Sequence, residues 1–82
     1  MRVVEILKQP VELYKILKFE GMVGSGGEAK MVIADGMVRV NGEVETRKRK
    51  KIVSGDIIEF GQDIIRIEYN GHMTEREAPN DK

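Results

Sequence analysis

Residues 38–42, with the sequence Val-Arg-Val-Asn-Gly, decide how this chain folds. The two valines alternate with Arg39, which is the period of a half-buried strand. Asn41-Gly42 follows directly and is typical of a two-residue hairpin turn, because both residues accept a positive φ. The segment therefore predicts a β-hairpin in which Val44 returns on the same side as the valines and Arg39 lies on the other side.

The residues that follow the hairpin predict further strands. Ser54-Gly55-Asp56 is a turn sequence, and the apolar pair Ile52-Val53 precedes it. Beyond the turn, residues 57–60 and 64–69 are rich in β-branched and aromatic side chains and flank Gly61-Gln62. This pattern is typical of two short strands joined by a turn. We expect them to join the hairpin in one small sheet.

The residues before the hairpin have a helical period. Ser25 and Glu28 have the spacing of a capping box, in which the serine hydroxyl accepts from the glutamate N–H and the carboxylate reaches back. An apolar face follows, formed by Ala29, Val32 and Ile33. Gly36 is a typical left-handed terminator. The pattern predicts a second helix between Ser25 and Gly36.

A first helix is predicted upstream of Gly21. Pro10 suits the first turn of a helix. Across residues 11–19, apolar side chains recur at helical spacing: Val11, Leu13, Tyr14, Ile16 and Leu17. Residues 2–7, which contain four apolar side chains, predict a short strand before this helix.

The order of these elements predicts an α+β domain with two helices packed on a small, mostly antiparallel sheet. The chain has 82 residues, enough for one small domain, which we assign to residues 1–69. Residues 70–82 contain Pro79 and only two apolar side chains, Met73 and Ala78. We expect them to form a polar, disordered tail.

The composition argues against several classes of function. The chain has no cysteine and one histidine, His72, and its carboxylates are scattered singly. This arrangement offers neither metal-ligand spacing nor a nucleophile paired with a base. No stretch has the apolar core of a signal peptide or the length of a membrane span. We expect a soluble, cytoplasmic, monomeric protein that is not an enzyme and uses no cofactor, metal or membrane.

The charges are balanced in total but separated along the chain. Residues 39–51 carry six basic and two acidic side chains, whereas residues 52–82 carry three and seven. The densest run is Arg-Lys-Arg-Lys-Lys at residues 47–51. Adjacent like charges repel one another until a polyanion, an acidic protein or solvent screens them. Charge alone leaves these three explanations open.

Two more basic residues can extend this run into a surface. A tight hairpin brings Arg39 towards the chain that enters residues 47–51, and Lys30 lies one turn into helix two. The start of that helix also offers unpaired N–H groups beside several glycines. Glu28 in the same turn would repel an anion, however, so a purely structural cap is favoured there.

The glycines themselves do not predict a nucleotide-binding loop. A mononucleotide loop requires a closing Gly-Lys-Ser/Thr, which this chain lacks. Gly21-Met22-Val23-Gly24 has the glycine spacing of the KH module, whose loop clamps a nucleic-acid backbone. Its two central side chains are apolar and poor phosphate ligands, so we expect them to pack under the turn.

The order of the motifs resembles the S-four-type RNA-binding domain, also called the alpha-L motif. The resemblance covers about residues 11–60 and rests on Leu13, Leu17, Glu20-Gly21, Ser25, Ala29-Lys30, Ile33, Gly36, residues 38–42 and residues 53–57. Residues 44–49 and 51–53 are further similar to the small stand-alone bacterial members of that family. The resemblance implies the alpha-L fold and a non-catalytic RNA-binding function.

The family places its RNA against the start of the second helix and the adjoining hairpin. The resemblance therefore implies nine RNA-binding residues: Ser25, Lys30, Arg39, Asn41, Arg47, Lys48, Arg49, Lys50 and Lys51. Many members follow the helix-two serine with an arginine that contacts phosphate and sugar, whereas this chain has Gly26. A larger share of the contact is then expected from residues 47–51. Asn41 suits a tight turn with or without RNA, so both roles stay open.

The aromatic residues indicate how RNA would be recognised. Tyr14, Phe19, Phe60 and Tyr69 fall at apolar positions of predicted elements, so we assign them to the core and not to base stacking. Recognition is then expected through RNA backbone and shape, which suits ribosomal RNA or tRNA. The alternative is an acidic protein bound by the basic strip. Because family members are often fused to catalytic domains, a ribosomal or RNA-modifying protein is a further candidate partner.

Overall fold

The computed structural model describes residues 1–70, which form seven strands and two helices. In chain order these are β1 Arg2–Ile6, β2 Val11–Glu12, α1 Leu13–Phe19, α2 Gly26–Ala34, β3 Val38–Val40, β4 Glu43–Val44, β5 Lys51–Ile52, β6 Ile57–Phe60 and β7 Asp63–Tyr69. Of the predicted tail, residues 70–82, only Asn70 is among the described residues. Its N–H donates to the carbonyl of Ile6 over 2.9 Å.

Five strands form one sheet in the order β1-β7-β6-β3-β4. β1 runs parallel to β7, and the other three pairs are antiparallel. β2 and β5 form a separate antiparallel pair. The predicted α+β fold, with two helices on a mostly antiparallel sheet, is confirmed.

The core lies between the two helices and one face of the five-stranded sheet. The buried residues of the sheet are Val4, Val38, Val40, Ile58, Ile65 and Ile67, and those of the helices are Leu13, Ile16, Leu17, Ala29, Val32 and Ile33. Because side chains alternate across a strand, the other face carries Arg39, Glu59 and Arg66. That outer face is more polar than the core face.

The first helix begins later than the sequence predicted. Pro10 and Val11 are not helical, because Val11 and Glu12 pair with Ile52 and Lys51 as strand β2. The helix starts at Leu13, where the chain leaves this pairing. Glu12 provides no side-chain cap for the helix. The first amides of α1 instead donate to carbonyls of the chain that leads into β5.

The hairpin is confirmed, with one difference in register. Asn41 and Gly42 have φ values of 54° and 86° and form the two-residue turn between β3 and β4. Val44 pairs with Arg39, so it shares the outer face with that arginine and is exposed. The prediction that Val44 lies on the side of Val38 and Val40 is wrong, because the two-residue turn places Glu43 opposite Val40.

The second helix and its ends are confirmed. It starts after Ser25, ends at Ala34 and is followed by Gly36 with a φ of 79°. The amides of Gly36 and Met37 donate to the carbonyls of Ile33 and Val32, which satisfies the last turn. Met22 is partly buried and Val23 is buried, as predicted for the turn between the helices.

Two of the four aromatic residues are not in the core. Tyr14 and Phe60 pack against it, but Phe19 is 67% exposed and Tyr69 is 37% exposed. Phe19 is the last residue of α1, where the helix extends beyond the core. The assignment of Phe19 and Tyr69 to the core is therefore wrong.

Candidate nucleic-acid interface

The two most distinctive turns of the sequence meet in the structure. The Asn41 amide Nδ2 donates to Asp56 Oδ1 over 3.0 Å, and the Asn41 Oδ1 accepts from the N–H of Ile57 over 2.9 Å. The second oxygen of Asp56 accepts from the N–H of Val53 over 3.0 Å. We call this contact between the Asn41-Gly42 and Gly55-Asp56 turns the hairpin junction. Both polar atoms of the Asn41 side chain are used within the fold.

Residues 45–51, the basic loop, link β4 to β5 and include the first residue of β5. The backbone of this loop is held against α1: the carbonyl of Lys50 accepts from the N–H of Leu13 over 2.9 Å, and that of Lys48 accepts from the N–H of Tyr14 over 3.1 Å. These two amides belong to the first turn of the helix, whose N–H groups have no intrahelical partner. The loop carbonyls therefore cap α1 and fix the path of the basic residues.

Glu45 holds the entry to the basic loop. Its carboxylate accepts from the backbone N–H of Arg47 over 2.9 Å, from Nε over 2.9 Å and from Nη2 over 3.1 Å. The hydrogen bond from Arg47, strengthened by the charges of Arg47 and Lys50, lowers the pKa of the Glu45 carboxyl to about 2 despite some desolvation. The same pair raises the pKa of Arg47. Arg47 thus completes a local clamp with Glu45.

Arg47 is exposed but paired with Glu45. Three further cations of the basic loop are exposed: Lys48, Arg49 and Lys51. Within residues 1–70, no carboxylate lies within 4.0 Å of their charged nitrogens. Lys50 is half-buried, and its charge acts on Glu45. Of the five positive charges that the sequence run offers, these three are the ones that face solvent without an acidic partner.

The start of α2 is capped as the sequence predicts. Ser25 Oγ accepts from the N–H of Glu28 over 3.1 Å. The Glu28 carboxylate accepts from the N–H of Gly24 over 2.8 Å, one residue earlier than in an ideal capping box. Ser25 is thus engaged as a helix cap.

A lysine from α1 lies beside this helix start. A Cβ placed on Gly26 would lie 3.8 Å from Cδ of Lys18, so the lysine stem runs past the position where many family members carry an arginine. Lys18 is exposed and was not predicted as a site residue. Its spacing of four residues from Tyr14, which places both on one helix face, is the signal that could have identified it.

Lys30 joins the basic loop through Tyr14. The Lys30 ammonium lies over the Tyr14 ring, 4.7 Å from its centroid. The backbone N–H of the same tyrosine donates to the backbone carbonyl of Lys48. A cation at this distance from the ring face is attracted by the ring quadrupole. Tyr14 therefore connects α2 to the basic loop.

Arg39 lies on the strand that pairs with the entry to the basic loop. Its side chain lies on the outer face of the sheet, where its cross-strand neighbours are Val44 and Glu59. The guanidinium Nη1 donates to the carbonyl of Gly42 over 3.3 Å. The predicted approach of Arg39 to the chain that enters residues 47–51 is confirmed for the backbone, because Arg39 pairs with Val44, one residue before the basic loop.

The residues described by the structure contain no group of three or more His, Asp or Glu side chains arranged to hold a metal ion. Neither helix of residues 1–70 has the length and apolar character needed to cross a membrane.

The helix pair, the mixed sheet and the basic loop on α1 define a small α+β domain of the alpha-L type. Residues 4–68 match the family model described as "S4 domain". The chain therefore belongs to the S4 domain family.

Known proteins of this type are similar over most of the chain. YbcJ of Escherichia coli (strain K12) and YbcJ of Shigella flexneri are each 49% identical over 57 residues, which cover 70% of this chain and 81% of each relative. The solution structure of YbcJ from E. coli, described as revealing an alpha-L motif involved in RNA binding, has a TM-score of 0.65 and 45% identity. It covers 83% of this chain and 87% of the YbcJ chain.

Proposed function

We propose that this chain is a non-catalytic RNA-binding protein that recognises structured RNA, such as ribosomal RNA or tRNA, by its backbone and shape. The observation that carries the proposal is the basic loop, whose backbone caps α1 while Lys48, Arg49 and Lys51 face solvent. Membership of the S4 domain family and the description of the YbcJ alpha-L motif as involved in RNA binding support the same function.

The mechanism is phosphate neutralisation by cations carried on a loop whose backbone is ordered before RNA binds. Affinity of this kind comes largely from released counterions, and each contact adds roughly −0.7 to −0.9 to the slope of log K against log salt. Five contacts, from Lys18, Lys30, Lys48, Arg49 and Lys51, give a slope of about −3.5 to −4.5. Because the loop backbone is already ordered, binding loses less conformational entropy than it would with a free basic segment.

The other predicted site residues have different parts in this proposal. Ser25 caps α2, and Asn41 holds the hairpin junction, so both position the interface through the fold. Arg47 is hydrogen-bonded to Glu45 and orders the entry to the loop, and Lys50 is half-buried with its charge acting on Glu45. Arg39 lies on the outer face of the sheet, and we assign it no contact with an RNA bound at the basic loop.

We further propose that residues 1–69 act as one monomeric RNA-binding unit in the cytoplasm, where ribosomal RNA and tRNA are made into functional particles. A ribosomal or RNA-modifying protein that binds the same RNA fits this role. The exposed, unpaired cations favour a polyanion over a folded acidic protein as the ligand of the basic loop, because a phosphate backbone presents evenly repeated charge.

The test is a salt titration of binding to bulk tRNA, with a single-stranded poly-uridine of equal length for comparison. Lys48→Gln combined with Arg49→Gln is expected to weaken tRNA binding at least tenfold and to flatten the salt slope by about 1.4 to 1.8. The unmodified protein is expected to prefer tRNA to the single strand, because a double-helical RNA presents its phosphates more densely to the proposed cations than a single strand does.

The matched control removes two positive charges elsewhere, with Lys8→Gln combined with Arg66→Gln. Both residues are exposed, and Arg66 lies on the outer face of the sheet. Equal losses in the two double variants would show that only the total charge matters and would defeat the proposed interface. Equal affinity for tRNA and the single strand would contradict recognition of structured RNA.

A further inference from the structure

An open groove of about 740 Å³ lies between β1 and α1, away from the exposed cations Lys48 and Arg49. Its apolar lining consists of Val4, Ile6, Leu7, Val11, Ile16 and Phe19, together with Pro10. Leu7 is 69% exposed and Phe19 is 67% exposed. A groove of this volume falls within the usual range of binding pockets. The two large apolar side chains at its margin would lose their contact with water if the groove were filled.

One wall of the groove is the free edge of a strand. β1 is the last strand of the sheet, and within residues 1–70 no strand pairs with its second edge. The carbonyl of Ile6 accepts from Asn70 on the β7 side. Since backbone groups of alternate residues point to opposite edges, those of Val3 and Glu5 are directed away from β7. An edge of this kind is a template for one more strand.

The other wall of the groove, formed by α1, limits the ligand to a single extended segment. α1 contributes Lys15, Ile16 and Phe19 to the groove, opposite residues 4–8. A further strand must therefore enter between a sheet edge and a helix. A single extended peptide meets this condition, whereas the edge of a second folded sheet would meet α1.

The charges at the groove favour a peptide with an acidic end. Glu12 is paired with Lys15 at 3.7 Å, and Glu20 is paired with Arg2 at 3.0 Å. Lys8 and Lys51 line the groove near Pro10 and have no carboxylate within 4.0 Å among residues 1–70. Glu5 also lines the groove and accepts a hydrogen bond from Asn70, but it is in no ion pair among residues 1–70. Two unpaired lysines and one unpaired glutamate leave a small excess of positive charge in the lining.

We propose that this groove binds an extended segment of a partner protein, which pairs with β1 as an added strand. Apolar side chains of the bound peptide, two residues apart, contact Val4, Ile6, Ile16 and Phe19. An Asp or Glu at one end of the peptide pairs with Lys8 and Lys51. Main-chain hydrogen bonds to the strand edge provide affinity, and the alternating apolar side chains provide selectivity. This protein-binding site goes beyond the proposed RNA-binding function and does not depend on it.

The experiment selects peptides from a phage-displayed library of random ten-residue sequences on the full-length protein. The expected sequences have apolar residues at positions i and i+2 with Asp or Glu at one end. A synthetic peptide of that pattern should shift the amide NMR signals of β1 and Phe19. Phe19→Ala should weaken its binding at least tenfold, whereas Met37→Ala, which also truncates an exposed apolar residue, should change it less than twofold.

Two more variants test the strand edge and the charge. Val3→Pro blocks the free edge and should abolish peptide binding, and a thermal melt reports whether the variant is folded. Lys8→Glu leaves the backbone of β1 unaltered, unlike the proline variant. Peptides selected on it should carry Lys or Arg at the end where the original peptides carry Asp or Glu. Phe19→Ala should leave tRNA affinity unchanged. A failure of the peptide-binding proposal can therefore be distinguished from a failure of the RNA-binding proposal.

Four outcomes would overturn the inference. They are a library with no enriched pattern, peptides that perturb only the basic loop, self-association of the protein that covers β1, and tRNA that shifts the β1 signals and loses affinity in Phe19→Ala. The last two would assign the groove to a second copy and to RNA, respectively.

Discussion

The hairpin junction and the basic loop are neighbours in the chain, yet they use polar residues in opposite ways. At the junction, the side chains of Asn41 and Asp56 are hydrogen-bonded to each other and to backbone N–H groups of the chain. In the basic loop, the backbone carbonyls of Lys48 and Lys50 are hydrogen-bonded inside the fold, and the side chain of Lys48 faces solvent. One region uses side chains to build the scaffold, and the other uses the backbone so that side chains remain available.

Stability and RNA affinity should therefore be separable by mutation in this small domain. Substitutions at the junction remove hydrogen bonds of the fold and should act on the free energy of unfolding. Substitutions of Lys48 or Arg49 change only exposed charge and should act on RNA affinity. Glu45 lies between the two cases, because it orders the loop without belonging to the exposed cations.

The largest effect is expected at the junction. Asn41→Ala removes two hydrogen bonds and places alanine at a φ of 54°, which asparagine tolerates better. We expect the free energy of unfolding to fall by about 2–3 kcal/mol, measured by urea denaturation. RNA affinity measured well below the midpoint should change less than twofold.

Asn70→Ala is the matched control for this substitution. It removes only a 3.3 Å contact between the Asn70 side chain and Glu5, and should cost a few tenths of a kcal/mol. A stable Asn41→Ala protein with tenfold weaker RNA binding would break the comparison, since it would make Asn41 a direct contact.

A smaller effect is expected when the clamp of the basic loop is removed. Glu45→Gln eliminates the carboxylate that accepts three hydrogen bonds from Arg47, so the loop becomes more mobile. We expect RNA affinity to fall about threefold to tenfold, because ordering the loop then opposes binding. Hydrogen exchange of the Leu13 and Tyr14 amides should also become faster, and that measurement needs no RNA.

Glu43→Gln provides the control, since it removes the same charge from an exposed residue two positions away. Its RNA affinity should be unchanged or slightly higher, because one negative charge has been removed. If Glu45→Gln instead binds more tightly and its salt slope steepens by about 0.7 to 0.9, then Arg47 has been released to contact phosphate and the clamp is not a positioning device.

Lys18 should have a moderate effect of its own. Lys18→Gln removes the cation beside Gly26 and is expected to flatten the salt slope by about 0.7 to 0.9, with a loss of affinity of about twofold to fivefold. Lys15→Gln, on the groove side of the same helix, should change affinity less than twofold because Lys15 is paired with Glu12. Equal effects would mean that the two sides of α1 are not distinct.

The smallest effect concerns pH. The pKa of Glu45 is about 2 in the folded protein and 4.5 as its ordinary value. A lowered folded pKa contributes stability that is present above the ordinary value and is lost as pH falls through the folded value. The Glu45–Arg47 hydrogen bonds should therefore persist at pH 3, which an NMR titration of the Arg47 Nε–H signal can follow. Loss of that signal near pH 4.5 would contradict the clamp.

Local sequence determined much of this fold. Asn41-Gly42, the Ser25–Glu28 cap and Gly36 each act through bonds or dihedral angles within a few residues, and all were predicted. The start of α1 was not, because it depends on Lys51 and Ile52, which are about 40 positions away in the chain. The exposure of Phe19 could not be read from an apolar position in a helical pattern, because it depends on what packs opposite.

The candidate site was predictable to a similar degree. The basic run and Lys30 were candidates from the sequence alone, whereas Lys18 becomes a candidate only in the structure, through its position beside Gly26. The ion pair between Arg47 and Glu45 could have been predicted from Glu45-Thr46-Arg47, where an acidic and a basic residue lie two positions apart. Charge counting gave each residue of the run equal weight, whereas hydrogen bonding divides them into cations that order the loop and cations that are free.

Lys51 has a consequence for regulation, because it belongs both to the basic loop and to the groove beside β1. A phosphate and a peptide carboxylate would compete for the same ammonium group, so the two ligands would be negatively coupled. Linkage requires the coupling to be reciprocal: the factor by which peptide weakens RNA binding equals the factor by which RNA weakens peptide binding. A partner protein that occupies the groove would thereby favour release of the RNA.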